Sequence, residues 1–223
     1  MRGAPPGSRV DMSWYFFVAI GHGRVVLIDC GTDALSRPGR QGLRDRWSIA
    51  SAVRVEEALG RVGLAPSDVT DIVLTHFHWD HVDGLGRFPG ATVHAHGAEW
   101  RRVPARLREA VESEGRLRAV SGGERALWPG FVVREAGQHT PHQLMVQLSC
   151  ATDPVVIAGD AAYLYRNIVE GRPVTVSAAS EQNVADVAQA VQAVGADHVI
   201  PGHDPALFDR YPSGVDAVAA ICM

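Results

Sequence analysis

Apolar and polar positions along this chain fall into blocks whose period changes from two to about 3.6 and back. Trp14–Ile20 and Arg24–Ile28 read as two strands, and the Gly21-His22-Gly23 between them predicts an opening hairpin whose histidine is solvated. Val53, Val55, Ala58, Leu59 and Val62 then fall at helical spacing and stop at Gly63. Asp71-Ile72-Val73-Leu74 is a short apolar run of the kind a buried strand needs. Ala91–Ala95, Phe131–Ala136, Val155–Ala158 and His198–Pro201 are further strand candidates. Arg101, Arg102, Arg106, Arg108, Glu109 and Glu112 describe an exposed helix of mixed charge, and Val184, Val187, Ala188, Val191 and Val194 a second apolar helical face. Strands alternating with helices predict a layered α/β core. No repeat or long linker interrupts the pattern, so residues 1–223 read as a single domain.

Composition narrows the function more than the fold. With 223 residues, 46% of them hydrophobic, the chain can bury one full core. A formal net charge of −4 without a strongly basic run lacks the electrostatic footprint of a nucleic-acid binder. The three cysteines, Cys30, Cys150 and Cys222, have neither paired nor ligand-like spacing, so no disulfide framework is expected. Residues Met1–Pro6 have no apolar region of a secretion signal, and Trp14–Ile20 is too short to cross a bilayer. The expectation is a soluble cytoplasmic protein without membrane or nucleic-acid partners.

One segment carries the chemistry. Thr75-His76-Phe77-His78-Trp79-Asp80-His81 places three histidines and a carboxylate directly after the strand ending at Leu74. Neutral imidazole and carboxylate are ligands for divalent zinc, iron, manganese or cobalt. Four such groups are costly to bury unless something binds them. If the loop leaves the strand extended, His76 and His78 point the same way, because side chains alternate with period two. Asp80 and His81 follow where the chain turns, and face a second position. Three later strand ends add ligand-type residues: His139 and His142 in Gly137–His142, Asp160 after Gly159, and His203 after Gly202. Each alone reads as a turn or cap residue; as a set they predict a metal centre. His94 and His96 also repeat at period two, but without neighbouring carboxylates they read as structural or rim residues.

With these motifs the chain resembles the metallo-β-lactamase superfamily, whose His-x-His-x-Asp-His signature stands intact from His76 to His81. The resemblance implies a four-layer αββα sandwich with metals at one edge of two facing sheets. It implies a first metal held by His76, His78 and His139, a second held by Asp80, His81 and His203, and Asp160 bridging the two. Asp29-Cys30-Gly31 matches an early Asp-x-Gly turn whose aspartate supports the ligands from behind. The family's usual His-Thr-Pro-Gly-His is one residue short here, because Pro141 runs straight into His142. The intact His-Thr-Pro order assigns the ligand to His139. His142 remains the alternative ligand, a pocket residue or a cap on the following strand.

Within the superfamily the chain is similar to the N-acyl-homoserine lactonase and pyridoxolactonase branch. The similarity lies in Tyr163, three residues after Asp160, in Pro201-Gly202-His203-Asp204-Pro205 and in Phe88–Thr92. That branch implies a dinuclear hydrolase with two divalent ions, zinc first among zinc, iron, manganese and cobalt, acting on a small-molecule lactone or ester. A hydroxide bridging the two metals would attack the lactone carbonyl, with Asp80 moving the proton and Tyr163 holding the developing oxyanion. Other members of the fold keep alternatives open: a glyoxalase-II-like thioesterase, a biosynthetic cyclase or dehydratase, or a mononuclear iron sulfur dioxygenase. Phe77, Trp79 and Trp100 either line an apolar mouth or pack. Arg37, Arg40, Arg44 and Arg46, within Asp33–Ser48, either meet an anionic substrate or form a solvated loop.

Overall fold

His22 and Gly23, with φ of 51° and 72°, turn the chain between β1 (Phe17–Gly21) and β2 (Arg24–Ile28). Two consecutive left-handed residues give a loop whose twist matches that of the flanking strands, which is why a two-residue hairpin forms here. In the computed structural model, residues 9–32, 47–49, 52–136, 139–174 and 180–221 are described. The arginines of the 33–48 stretch, Cys222, Gly137 and Gln138 lie outside them. The chain divides into two compact units, residues 16–119 and residues 1–15 with 120–223.

The first unit is built on a five-stranded sheet in the order β1-β2-β3-β4-β5, with β3 (Asp71–Leu74), β4 (Thr92–His96) and β5 (Leu117–Val120). β1 and β2 are antiparallel, whereas β2, β3 and β4 run parallel, joined by crossovers that carry the short helix α1 (Val55–Gly60) and the one-turn helix α2 (Trp79–Val82). After β4 come α3 (Gly97–Trp100) and α4 (Ala105–Ser113). Period two sorts the strands: Leu27, Ile72, Leu74, Val93 and Ala95 pack on one face with Val55, Leu59, Trp100, Leu107 and Val111 from the helices. Asp71, Val73 and His94 fall on the other. Trp100 is buried and its indole N–H donates to Glu112 Oε1 at 2.7 Å, so it packs instead of lining a mouth. Phe77 is half-buried against the same cluster, and the Arg102 guanidinium lies 4.9 Å from its ring centre.

The second unit contains a five-stranded sheet in the order β10-β9-β8-β7-β6. Its strands are β6 (Glu124–Trp128), β7 (Phe131–Glu135), β8 (Leu144–Leu148), β9 (Val155–Gly159) and β10 (Val199–Pro201). Only β9 and β10 pair in parallel; β6 to β9 form an antiparallel meander. The helices are α5 (Tyr165–Val169), α6 (Ser180–Val194) and α7 (Leu207–Arg210). Val187 and Ala190 of α6 pack with Met145, Val156, Ala158 and Val199.

Two predicted elements shift. The strand read over Trp14–Ile20 starts only at Phe17, because Ser13 and Tyr15 bond to the loop after β10 and belong with the second unit. In α6 it is Ala190, together with buried Asn183, that faces inward, while Ala188 is exposed. A 3.6-residue stripe drifts around a 15-residue helix, and small alanines on either edge do not mark which side is covered. Cys30 is buried and free, but Cys150 is disulfide-bonded, which spacing along the sequence did not signal.

Candidate metal centre

The ligand-type residues predicted from the sequence are divided between the two units: those of 76–81 belong to the first, and His139, His142, Asp160 and His203 to the second. In the first, β3 ends at Leu74 and the chain stays extended until α2 begins at Trp79; His78, at the helix N-cap, has φ −63° and ψ 152°. The extended stretch sends His76 and His78 to one place, with His76 Nε2 3.0 Å from His78 Nδ1. The helical turn then presents Asp80 and His81 together, with His81 Nε2 3.6 Å from Asp80 Oδ2 and the His76 and His81 rings 4.1 Å apart. The predicted change from extended to turned chain is thus what separates the two ligand pairs.

Asp29 braces this group. It sits at φ 62°, a left-handed conformation that aspartate adopts more readily than most residues, and is buried. Its Oδ1 accepts the Thr75 backbone N–H at 2.8 Å, and its Oδ2 lies 2.7 Å from His81 Nδ1 and 2.8 Å from Thr75 Oγ1. A carboxylate accepts only, so the single Thr75 hydroxyl proton goes to Asp29. Thr75 Oγ1 must then accept from His76 Nδ1, 3.0 Å away. Both His76 and His81 therefore carry their proton on Nδ1 and turn the Nε2 lone pair outward. Thr75 was not singled out in the sequence; its only signal was its place before the first histidine. The turn is closed by Cys30 N–H donating to the His81 carbonyl and Gly84 N–H donating to the Gly31 carbonyl. A β-carbon on Gly84 would lie 1.9 Å from the Cys30 carbonyl oxygen, so only glycine fits there. Burial, with Asp29 and Asp83 nearby, pushes the Cys30 thiol well above its usual pKa and keeps it protonated.

In the second unit one carboxylate faces two imidazoles. Asp160, at the end of β9, has Oδ1 2.9 Å from His203 Nε2 and Oδ2 3.1 Å from His139 Nε2. His203 Nδ1 lies 3.0 Å from the Ser13 carbonyl, which can only accept, so its proton too is on Nδ1. His142 is engaged elsewhere, with Nδ1 2.6 Å from Glu135 Oε1. Tyr163 has its ring 5.7 Å from that of His139 and 5.3 Å from that of His203, and its hydroxyl 3.4 Å from His139 Nδ1.

The donor chemistry of both sets, imidazoles beside carboxylates, fits divalent ions of the zinc, iron, manganese and cobalt kind, and in His76, His81 and His203 an outer partner settles which ring nitrogen carries the proton. His94 and His96 do not join either group. His94 Nε2 is bound to Asp71 Oδ1 at 2.9 Å, and His96 Nδ1 accepts the Ala98 N–H as the cap of α3. His22 is exposed in its hairpin turn.

Comparison with known proteins agrees with this chemistry. A probable metallo-hydrolase of Mycobacterium bovis is 30% identical over 175 residues, covering 66% of this chain and 56% of its own. The chain thus spans little more than half the length of that relative. An N-acyl homoserine lactonase of a Bacillus species is 26% identical, covering 73% of this chain and 69% of its own. Among solved structures, a mutant of Bacillus thuringiensis AiiA with N-decanoyl-L-homoserine bound at the active site superposes with a TM-score of 0.74. That match has 18% identity and covers 98% of this chain and 91% of the other, so the two share the fold, α/β with two mixed sheets and flanking helices. The family described as the metallo-beta-lactamase superfamily matches residues 8–203, and this chain belongs to it.

Proposed function

We propose that the chain is a dinuclear metal-dependent hydrolase that opens a lactone ring, with both units acting as one catalytic domain. In this reading His76, His78 and His139 hold one divalent ion and Asp80, His81 and His203 the other, with Asp160 shared and zinc the first choice of metal. The observation that carries it is Asp160, whose two oxygens each face a different imidazole at 2.9 and 3.1 Å. One carboxylate placed between two histidines suits a ligand shared by two ions. The engagement of His142 by Glu135 supports His139 as the ligand.

Two ions so held would acidify a water toward neutral pH and polarise an ester carbonyl. The protein's own groups do the rest. The Tyr163 hydroxyl donates to the carbonyl oxygen as negative charge gathers there. Asp80, partly exposed beside His81, takes up the proton and passes it to the departing alkoxide. In a lactone that alkoxide stays tethered, so the product is a single hydroxy acid. The N-acyl homoserine lactonases among its relatives favour this substrate class.

The test is acid release from homoserine lactones of short and long acyl chain, an aromatic lactone, a glutathione thioester and a β-lactam, each with and without a chelator. Chelator-sensitive opening of lactones alone is expected; cleavage of the thioester with lactones left intact would replace this reading by a thioesterase. Tyr163→Phe should lower kcat for lactone opening by about 100- to 1000-fold at unchanged metal content, as loss of an oxyanion donor does. An unchanged kcat would make Tyr163 a packing residue.

A further inference from the structure

The loop that presents His203 is held by residues far from it in sequence. After β10, the backbone groups of 201–204 are met from two sides. The Gly202 and His203 N–H groups donate to the Ala162 and Tyr163 carbonyls at 2.8 and 2.9 Å. From the other side comes the segment 13–15. Ser13 N–H donates to the His203 carbonyl at 2.9 Å, and the Ser13 carbonyl accepts from His203 Nδ1 at 3.0 Å. The Tyr15 hydroxyl donates to the Pro201 carbonyl at 2.7 Å and accepts the Asp204 N–H at 3.1 Å. One phenol thus ties together the residues on both sides of Gly202-His203. Its ring meets Phe208 edge-on at 6.0 Å between centres, so packing and hydrogen bonding are separable parts of the residue.

We propose that Tyr15 is a positioning residue for His203, closing the 201–204 loop with its hydroxyl so that the Nε2 face of His203 is held ready for a metal. The proposal rests on the reading that His203 is a metal ligand. Ligand geometry has to be kept within about 0.5 Å by surrounding hydrogen bonds. Loss of such an outer bond lowers metal affinity by about 10- to 100-fold. The Ser13 contacts, made through backbone atoms, set the imidazole's tautomer and rotation; Tyr15 sets the position of the backbone that carries it.

The experiment is chelator competition on the metal-loaded wild type and on Tyr15→Phe, which keeps the ring, Phe208→Leu, which keeps the hydroxyl, and His203→Ala. Cobalt-substituted protein gives a visible spectrum that reports coordination. In Tyr15→Phe, one equivalent of metal should be lost at about 10- to 100-fold lower chelator concentration, with a changed cobalt spectrum for that equivalent. It should be the same equivalent that His203→Ala loses. Phe208→Leu should lower the Tm of the metal-free protein and leave the chelator midpoint in place. Wild-type affinity for both ions in Tyr15→Phe, or an equal metal loss in Phe208→Leu, overturns the proposal. If His203→Ala keeps the wild-type metal content, both this proposal and the ligand assignment fall. If lactones stay closed while the Tyr15→Phe shift persists, only the lactonase reading falls.

Discussion

Gly202 shows how closely the backbone is drawn around Asp160. A β-carbon at this position would lie 2.7 Å from the Gly159 carbonyl oxygen and 2.9 Å from Asp160 Oδ1. The contact is a matter of space, and the neighbours are a backbone carbonyl and a carboxylate that is itself aligned with two histidines. Relief would have to come from moving either. Gly202→Ala should therefore cost about 1–3 kcal/mol of stability, as overpacking does, and also weaken metal retention. Thermal unfolding and metal content together check this: a loss of Tm with wild-type metal content would show that the strain is absorbed away from Asp160. Gly84, against the Cys30 carbonyl, plays the matching part behind His81. Gly202 stands next to His203 in the sequence and Gly84 three residues after His81, but only the fold reveals that both are there for space and not for a turn.

Among the elements, β2, β3 and β4 share a polar cluster inside the sheet. Asp71 accepts from Arg24 at 2.7 Å and from Thr70 at 2.8 Å, and its other oxygen lies 2.9 Å from His94 Nε2. Burial pushes the His94 pKa below its ordinary 6.5, outweighing the lift from Asp71. Burial also raises Asp71, but hydrogen bonds from His94, Thr70 and Arg24, with the guanidinium charge, hold it below its ordinary 3.8. Because His94 binds its proton less readily when folded, the unfolded chain gains protons first as pH falls. The stability tied to neutral His94 is thus complete above about pH 6.5 and is lost as pH drops through the lower folded value; the contribution of Asp71 disappears only further down. Denaturant midpoints at pH 7.5 and 5.0 should fall more steeply in wild type than in His94→Gln, and equal falls would remove His94 from the account. The His94-x-His96 pair thus shows the limit of reading period two: the spacing is that of His76 and His78, yet its partners across the strands make one a core residue and the other a cap. The His76–His81 segment was legible because its meaning is local, a strand end turning into a helix within six residues. The true start of β1 was not, because what stops Ser13 and Tyr15 from joining it lies at residues 201–204.

At the scale of the whole molecule, the proposed ligands come from the ends of four strands and loops spread from residue 76 to residue 203. Ions bound to them would act as staples on the native state alone. At a free metal concentration about 1,000 times Kd, each ion would add about 4 kcal/mol. For a chain of this size that is a rise in Tm of roughly 8–16 °C. Thermal unfolding with saturating zinc and with chelator checks it, and coincident curves would mean that the folded chain holds no metal of consequence. Among the described residues no helix is long and apolar enough to cross a membrane.

The bond between Ser13 and His203 also has a meaning in time. Its two residues are 190 positions apart, so during synthesis the segment 13–15 is made long before its partners exist. The His76–His81 turn can close as soon as its own stretch of chain and residues 29–31 have emerged, since those contacts span about 50 residues. His203 is secured only after residues 201–204 have left the ribosome, 190 positions behind Ser13. Long-range closures of this kind form late and slowly. The order in which the ligands mature is therefore written into the distances along the chain, and a nascent protein halted before residue 203 would carry a finished first group of ligands and an unfinished second one.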